Sequence, residues 1–213
     1  GLRYRFNFGP DFRYYRNGTF RNEESISSEG KNRASLSNQS DFSWTLDNLI
    51  YYDKEIGKHS FGLTLLQSAT GYHYEESSMA AEGIPLESAK WNALSKENVS
   101  LLDEWNSGLI EKQLLSYMFR VNYDYNNKYL LTVSGRWDGA SQLAEGNKWA
   151  FFPSAALGWR LDQEEFLKDV TWLNQLKFRL GVGVTGNSAI DPYQTKGAIV
   201  SLYYPFGATL APG

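Results

Sequence analysis

The sequence predicts an all-β protein of about eight antiparallel strands with one short amphipathic helix. Apolar and polar residues alternate with period two through most of the 213 residues, as they do on strands whose side chains point to opposite faces. Aromatics make up 15% of the chain and glycine numbers 19, which suits many amphipathic strands better than a thick aliphatic core. The connections between alternating segments are short on one side and long on the other.

The first strand opens the chain, with Leu2, Tyr4, Phe6 and Phe8 opposed to Arg3, Arg5 and Asn7. Asn17-Gly18 has the composition of a type I′ turn, and Arg21 to Arg33 reads as a polar loop. The second strand sets Phe42, Trp44, Leu46, Asn48, Ile50 and Tyr52 on one face, and a short turn at Asp53 to Lys58 reverses the chain. Phe61, Leu63 and Leu65 begin the third strand. Alternation then dissolves, so Glu75 to Glu111 reads as a long excursion with a weak helical turn after Pro85.

The fourth strand, Leu115 to Tyr123, alternates most clearly: Leu115, Tyr117, Phe119, Val121 and Tyr123 against Ser116, Met118, Arg120 and Asn122. A turn at Asp124 to Asn127 leads into a hairpin from Tyr129 to Trp159. Its greasy face carries Tyr129, Leu131, Val133, Trp137, Leu157 and Trp159, and its tip is the polar stretch 139 to 148. Asp162 with Glu165 has capping-box spacing, and Phe166, Leu167, Val170 and Leu173 recur at helical intervals. Leu176, Phe178, Leu180, Val182 and Val184 resume the strand pattern, and a last β segment is expected from Thr195 to Tyr204.

Several chemistries are excluded or weak. With no cysteine, disulfides, thiolate catalysis and sulfur-ligated metals are all absent. The net charge of -3 provides no basic surface to draw in nucleic acid. Gly181 to Gly186 matches G-x-G-x-x-G, but Asn187, Ser188 and Asp191-Pro192 break the helix that a dinucleotide site needs. His59 and His73 lack metal-ligand spacing, and the Glu23-Glu24, Glu75-Glu76 and Glu164-Glu165 pairs read as solvated loop residues. No catalytic residue, cofactor or metal is expected. Asn17, Asn38 and Asn98 open N-x-S/T sequons, which matter only in a eukaryotic secreted protein.

Arg120, Arg136, Asp138, Arg160, Lys177 and Arg179 fall on the wet face. In a soluble sandwich they would be solvated; in a barrel they would line the lumen. Alternation does not choose between the two, because a core and a bilayer select the same residues for the other face. Short turns on one rim with long loops on the other favour an outer-membrane barrel.

The runs YDYNNKYLLTVSGRWDGAS and NKWAFFPSAALGWRLDQEEFLKDVTWLNQLKFRLGVGVTGN resemble the barrel of SusC/RagA-type TonB-dependent outer-membrane transporters. Tyr129 to Leu131, Arg136, Asp138, Gly139, Trp149, Phe152 to Ser154, Gly158 to Arg160, Phe166, Leu167, Leu176, Lys177, Arg179 and Thr185 to Asn187 follow the family's motif order. The likeness is strong over about residues 115 to 190 and looser over Phe42 to Ser68. Trp137, Ala140 and Gln142 depart from the polar or Ser/Arg-rich tip that the family favours.

The resemblance implies that residues 1 to 213 form part of a large transmembrane β-barrel in the bacterial outer membrane. The signal peptide, plug and C-terminal closing strand are expected elsewhere in a longer chain. Leu115, Tyr117, Phe119, Val121, Leu131, Val133, Leu157, Trp159, Phe178 and Leu180 would then face lipid. Arg120, Arg136, Asp138, Arg160, Lys177 and Arg179 would face the lumen, in reach of substrate or plug. Trp91, Trp105 and Trp149 become extracellular loop candidates. The implied activity is import without covalent chemistry, of an oligosaccharide or peptide, with a SusD-like lipoprotein outside and the TonB complex inside. The alternatives are a soluble secreted β-sandwich that binds carbohydrate through Trp91, Trp105 and Trp149, and a small closed eight-stranded barrel.

Overall fold

The computed structural model describes residues 1–26, 30–85, 87–95, 101–167, 172–196, 203–206 and 209–212. One antiparallel sheet holds β1 (Leu2–Arg21), β2 (Arg33–Ile56), β3 (His59–Glu82), β4 (Leu101–Tyr125), β5 (Tyr129–Ala140), β6 (Trp149–Arg160) and β7 (Lys177–Gly183). The strands lie side by side in sequence order, each paired with the next. A separate hairpin pairs β8 (Tyr203–Phe206) with β9 (Thr209–Pro212). Among the described residues β1 and β7 do not pair, so this sheet is not the small closed barrel.

Two local geometries make the short rim. Gly57, at φ 60, turns β2 into β3, and Asn126 and Asn127, at φ 55 and 54, turn β4 into β5. Asparagine tolerates this left-handed conformation better than most residues, and the Asp124 carboxylate accepts the Asn127 N–H at 2.7 Å. The long rim carries the connections 22–32, 83–100 and 141–148.

Several expectations shift. Asn17-Gly18 is not a turn: the pairs Asn17↔Ser37 and Gly18↔Leu36 keep both in β1. The excursion read over Glu75 to Glu111 shrinks to 83–100, because β3 and β4 stay paired from Glu75↔Leu109 to Glu82↔Leu101. Both faces of that extension carry polar side chains, so the ladder continues where alternation stops. The helical turn expected after Pro85 is a 3₁₀ stretch, Glu87–Asn92. The helix after β6 is represented by two 3₁₀ turns, Leu161–Gln163 and Glu165–Leu167, while Val170 lies outside the described residues. The segment expected from Thr195 begins instead as a 3₁₀ turn, Gln194–Lys196.

The described part of the sheet has almost no interior. Ala34, Ala81 and Ile84 are buried with Phe20, Trp91 and Leu94 around them, a small cluster where Ile84, Trp91 and Leu94 of the connection after β3 meet the ends of β1 to β3. Leu180 and Val182 remain 63% and 76% exposed. A sandwich would cover such residues with a second sheet; among the described residues none does so.

Candidate functional site

Antiparallel pairing puts partnered residues on the same face, so the register extends each strand's alternation across the sheet. One row runs Tyr52, Leu63, Val121, Val133, Ala155 and Val182; the next runs Ile50, Leu65, Phe119 and Gly135. Leu115, Tyr117, Leu131, Leu157, Trp159, Phe178 and Leu180 join the same face. The apolar band extends from Leu115 to Tyr125 in β4 and from Trp149 to Trp159 in β6. That is the roughly 9–11 residues a tilted strand uses to cross a bilayer.

Aromatic side chains gather at both ends of the band. Toward the short rim, Tyr129 stacks against Tyr125 and Trp159, each at 6.4 Å between ring centroids. Toward the long rim, Tyr117 stacks on Trp149 at 6.3 Å and Trp137 tilts onto Phe151 at 4.9 Å. Rings at the two edges of an apolar band are suited to the two water–lipid interfaces.

The other face is polar. Register gathers Arg120, Arg136, Asp138, Arg160, Lys177 and Arg179 there, as the alternation predicts. Arg136 Nε donates to Asp138 Oδ1 at 2.7 Å, and its Nη2 reaches the buried Ser116 hydroxyl at 2.9 Å. Arg160 donates to Asp162 at 2.9 Å. Lys112, Arg120, Lys148, Lys177 and Arg179 form no ion pair among the described residues, and they stand on β4 to β7 or at the mouth of β6. The carboxylates Asp41, Asp47 and Glu76 lie across the sheet on β2 and β3, bonded to Tyr72, Ser68 and Tyr74.

The link from β6 to β7 is tied to the short rim by two carboxylates. Glu164 accepts hydrogen bonds from Lys128 Nζ at 2.8 Å and from Tyr129 Oη and Trp159 Nε1 at 2.9 Å each. Asp162, whose side chain is 5% exposed, accepts from Arg160, Gln163 and the Leu176 N–H, which closes the link. Gln163, then Arg160, hold its carboxyl down to about 2. The capping-box reading of Asp162 with Glu165 is therefore corrected: Asp162 lies inside the first 3₁₀ turn and its carboxylate bonds across the link to the Leu176 N–H instead.

Lys128, then Trp159, hold the Glu164 carboxyl below its ordinary 4.5. A lowered folded value means stabilisation that is present above 4.5 and lost as pH falls through that lowered value. Replacing Glu164 with Ala should speed hydrogen exchange across 161–176 while the β4–β5 ladder keeps its protection, measured by mass spectrometry on the complete protein. Unchanged exchange across that link would show that the carboxylate does not hold it.

No family model matches the chain. It is 35% identical to the TonB-dependent receptor P26 of Formosa agariphila, over 92% of this chain and 20% of the receptor. It is 34% identical to the TonB-dependent receptor SusC of Bacteroides thetaiotaomicron, over 97% of this chain and 21% of the receptor. The chain belongs to the SusC/RagA-type TonB-dependent transporters. It spans about a fifth of the length of those curated relatives. The fold agrees: the structure of the RagAB peptide transporter superposes on all of this chain with a TM-score of 0.84 at 19% identity, using 24% of the transporter chain. Its "open-open" state gives 0.83 at 20%, over all of this chain and 23% of that one.

Within this SusC/RagA-type sheet the three tryptophans separate. Trp91 packs beside Gly18, whose Cβ would lie 2.4 Å from the indole, so it closes the small core rather than displaying a binding face. Trp149 opens β6 and sits in the apolar band, not in the preceding loop. Trp105 lies on β4 opposite Met79 and is 81% exposed. Alternation missed one charged group, because it read 75–111 as loop. His73 stands between Glu111, 2.9 Å from Nδ1, and Glu75, 3.1 Å from Nε2. Glu111 first, then Glu75, raise its pKa above 6.5, which favours the imidazolium. Among the described residues no group of His, Asp and Glu is arranged to hold a metal.

Proposed function

We propose that this chain forms wall of an outer-membrane importer, with the band containing Val121, Val133 and Leu157 against lipid and the face containing Arg120, Arg136 and Arg179 toward the lumen. The observation that carries this reading is the uncovered apolar face, one bilayer high and edged by aromatics, backed by a continuous polar face. Lipid solvates the first and water the second, and each strand from β2 to β6 pairs its backbone with a neighbour on both sides. Located there, Arg136, Asp138, Arg160, Lys177 and Arg179 meet cargo or plug. The complete protein imports an oligosaccharide or peptide, with a SusD-like lipoprotein over its outer mouth and the TonB complex supplying force from the periplasm.

The test is fluorescence of the complete protein reconstituted in vesicles of brominated phosphatidylcholine. Bromine quenches indoles that touch acyl chains, so emission should fall, and a Trp137→Phe variant should show a smaller quenchable component. Quenching that the substitution leaves unchanged would remove Trp137 from the lipid face and refute the assignment of the two faces.

A further inference from the structure

At the long-rim end of the polar face, β4 outlasts β5, whose pairing ends at Leu114↔Ala140. The 141–148 connection and residues 191–196 close around the exposed flank of β4 and enclose a cleft of about 510 Å³. Its walls are fastened by named bonds. Ser141 N–H donates to Gln113 O at 2.9 Å, and Gln113 N–H donates to Ser141 Oγ at 2.8 Å. Thr195 Oγ1 donates to Gln142 O at 3.2 Å, and Tyr193 Oη accepts the Glu111 N–H at 3.2 Å. Tyr193 adopts φ 72, a conformation costly for a bulky side chain and common where a site dictates the backbone.

The charge inside is unbalanced. Lys112 and Lys148 both line the cleft, and neither forms an ion pair among the described residues. Lys112 Nζ lies 4.6 Å from the centroid of the Tyr72 ring, which is itself tied to Asp41 at 2.8 Å, so the ammonium is steered without being neutralised. Of the two glutamates in the lining, Glu111 is engaged by His73. Glu111 alternates to the face opposite Lys112, where it shares His73 with Glu75, so Glu145 is the one carboxylate of the lining that is not turned away from Lys112. The Ser141 hydroxyl, which accepts the Gln113 N–H, adds a donor on the same wall.

We infer that this cleft is an anion subsite in which Lys112 and Lys148 take a carboxylate of the imported ligand, whether of a uronic-acid sugar or an acidic side chain. The inference rests on the importer reading and deepens it by naming the ligand chemistry. The experiment is titration calorimetry on the complete protein in detergent, with trigalacturonate, triglutamate and neutral maltotriose as probes. At least one acid should bind more tightly than maltotriose, and Lys112→Gln with Lys148→Gln should weaken it about tenfold, as expected for loss of charged hydrogen bonds. Lys112→Arg with Lys148→Arg should retain most of the affinity, which controls for folding. The acid that shows this lysine dependence identifies the source of the carboxylate. Equal binding of acids and maltotriose, no binding of either acid, or an unchanged double Gln variant would overturn the subsite. The lipid-quenching test involves neither lysine, so a failed importer reading is distinguishable from a failed subsite.

Discussion

An arginine in place of Val133 should destabilise the membrane-inserted protein by about 2–4 kcal/mol relative to Val133→Ala. Tyr129→Arg should cost only about 0–1 kcal/mol relative to Tyr129→Ala, a reference that already lacks the Glu164 bond and the ring stacking. Both residues lie on the apolar face of β5, and Val133 is flanked by Val121 and Ala155 at mid-height. Tyr129 stands at the rim, among Tyr125 and Trp159. In a bilayer the penalty follows depth, because a long cationic side chain near the rim reaches water. On the opposite face, Thr132→Lys should stay within about 1 kcal/mol, the worth of the single bond that Thr132 makes to Asn122. Unfolding free energies from urea titrations in vesicles measure all three. A protein core would penalise burial without regard to distance from a midplane, so a cost as large at Tyr129 as at Val133 would contradict lipid contact.

The two faces were legible in the sequence because period-two alternation is dense where one side meets an apolar medium. Leu115 to Tyr123 shows this best, and the register places it beside Phe61 to Leu65 and Leu131 to Val133 without a slip. The upper halves of β3 and β4 were illegible for the opposite reason. Ser77 faces Ser107 and Ser78 faces Asn106, so neither side of the ladder is marked by hydrophobicity. The carboxylate clamp was hidden as well. Glu164 reads as one of two adjacent surface acids until pairing of Tyr129 with Trp159 brings both girdle rings to one spot. The Glu75–His73–Glu111 group likewise exists only through cross-strand register. Pattern reports which medium a side chain meets, whereas register decides which polar groups converge.

Gly135 sets two physical effects against each other in the middle of that pattern. Propensity alone predicts that a larger residue would strengthen a strand at this position, since glycine is unfavourable in strand interiors. The neighbours predict the reverse: a Cβ on Gly135 would lie 2.6 Å from Phe119 Cε1 and 2.8 Å from Phe151 Cζ. The two rings lean over the glycine from adjacent strands and cover its backbone, an arrangement that compensates for the missing side chain. Gly135→Leu should therefore destabilise the protein by about 1–3 kcal/mol through overpacking. Phe151→Ala in the same chain should recover part of that loss by vacating the space, a coupling that a double-mutant cycle isolates. If Gly135→Leu were neutral or stabilising, the rings would have swung into lipid at no cost, and strand propensity would govern this position instead of packing.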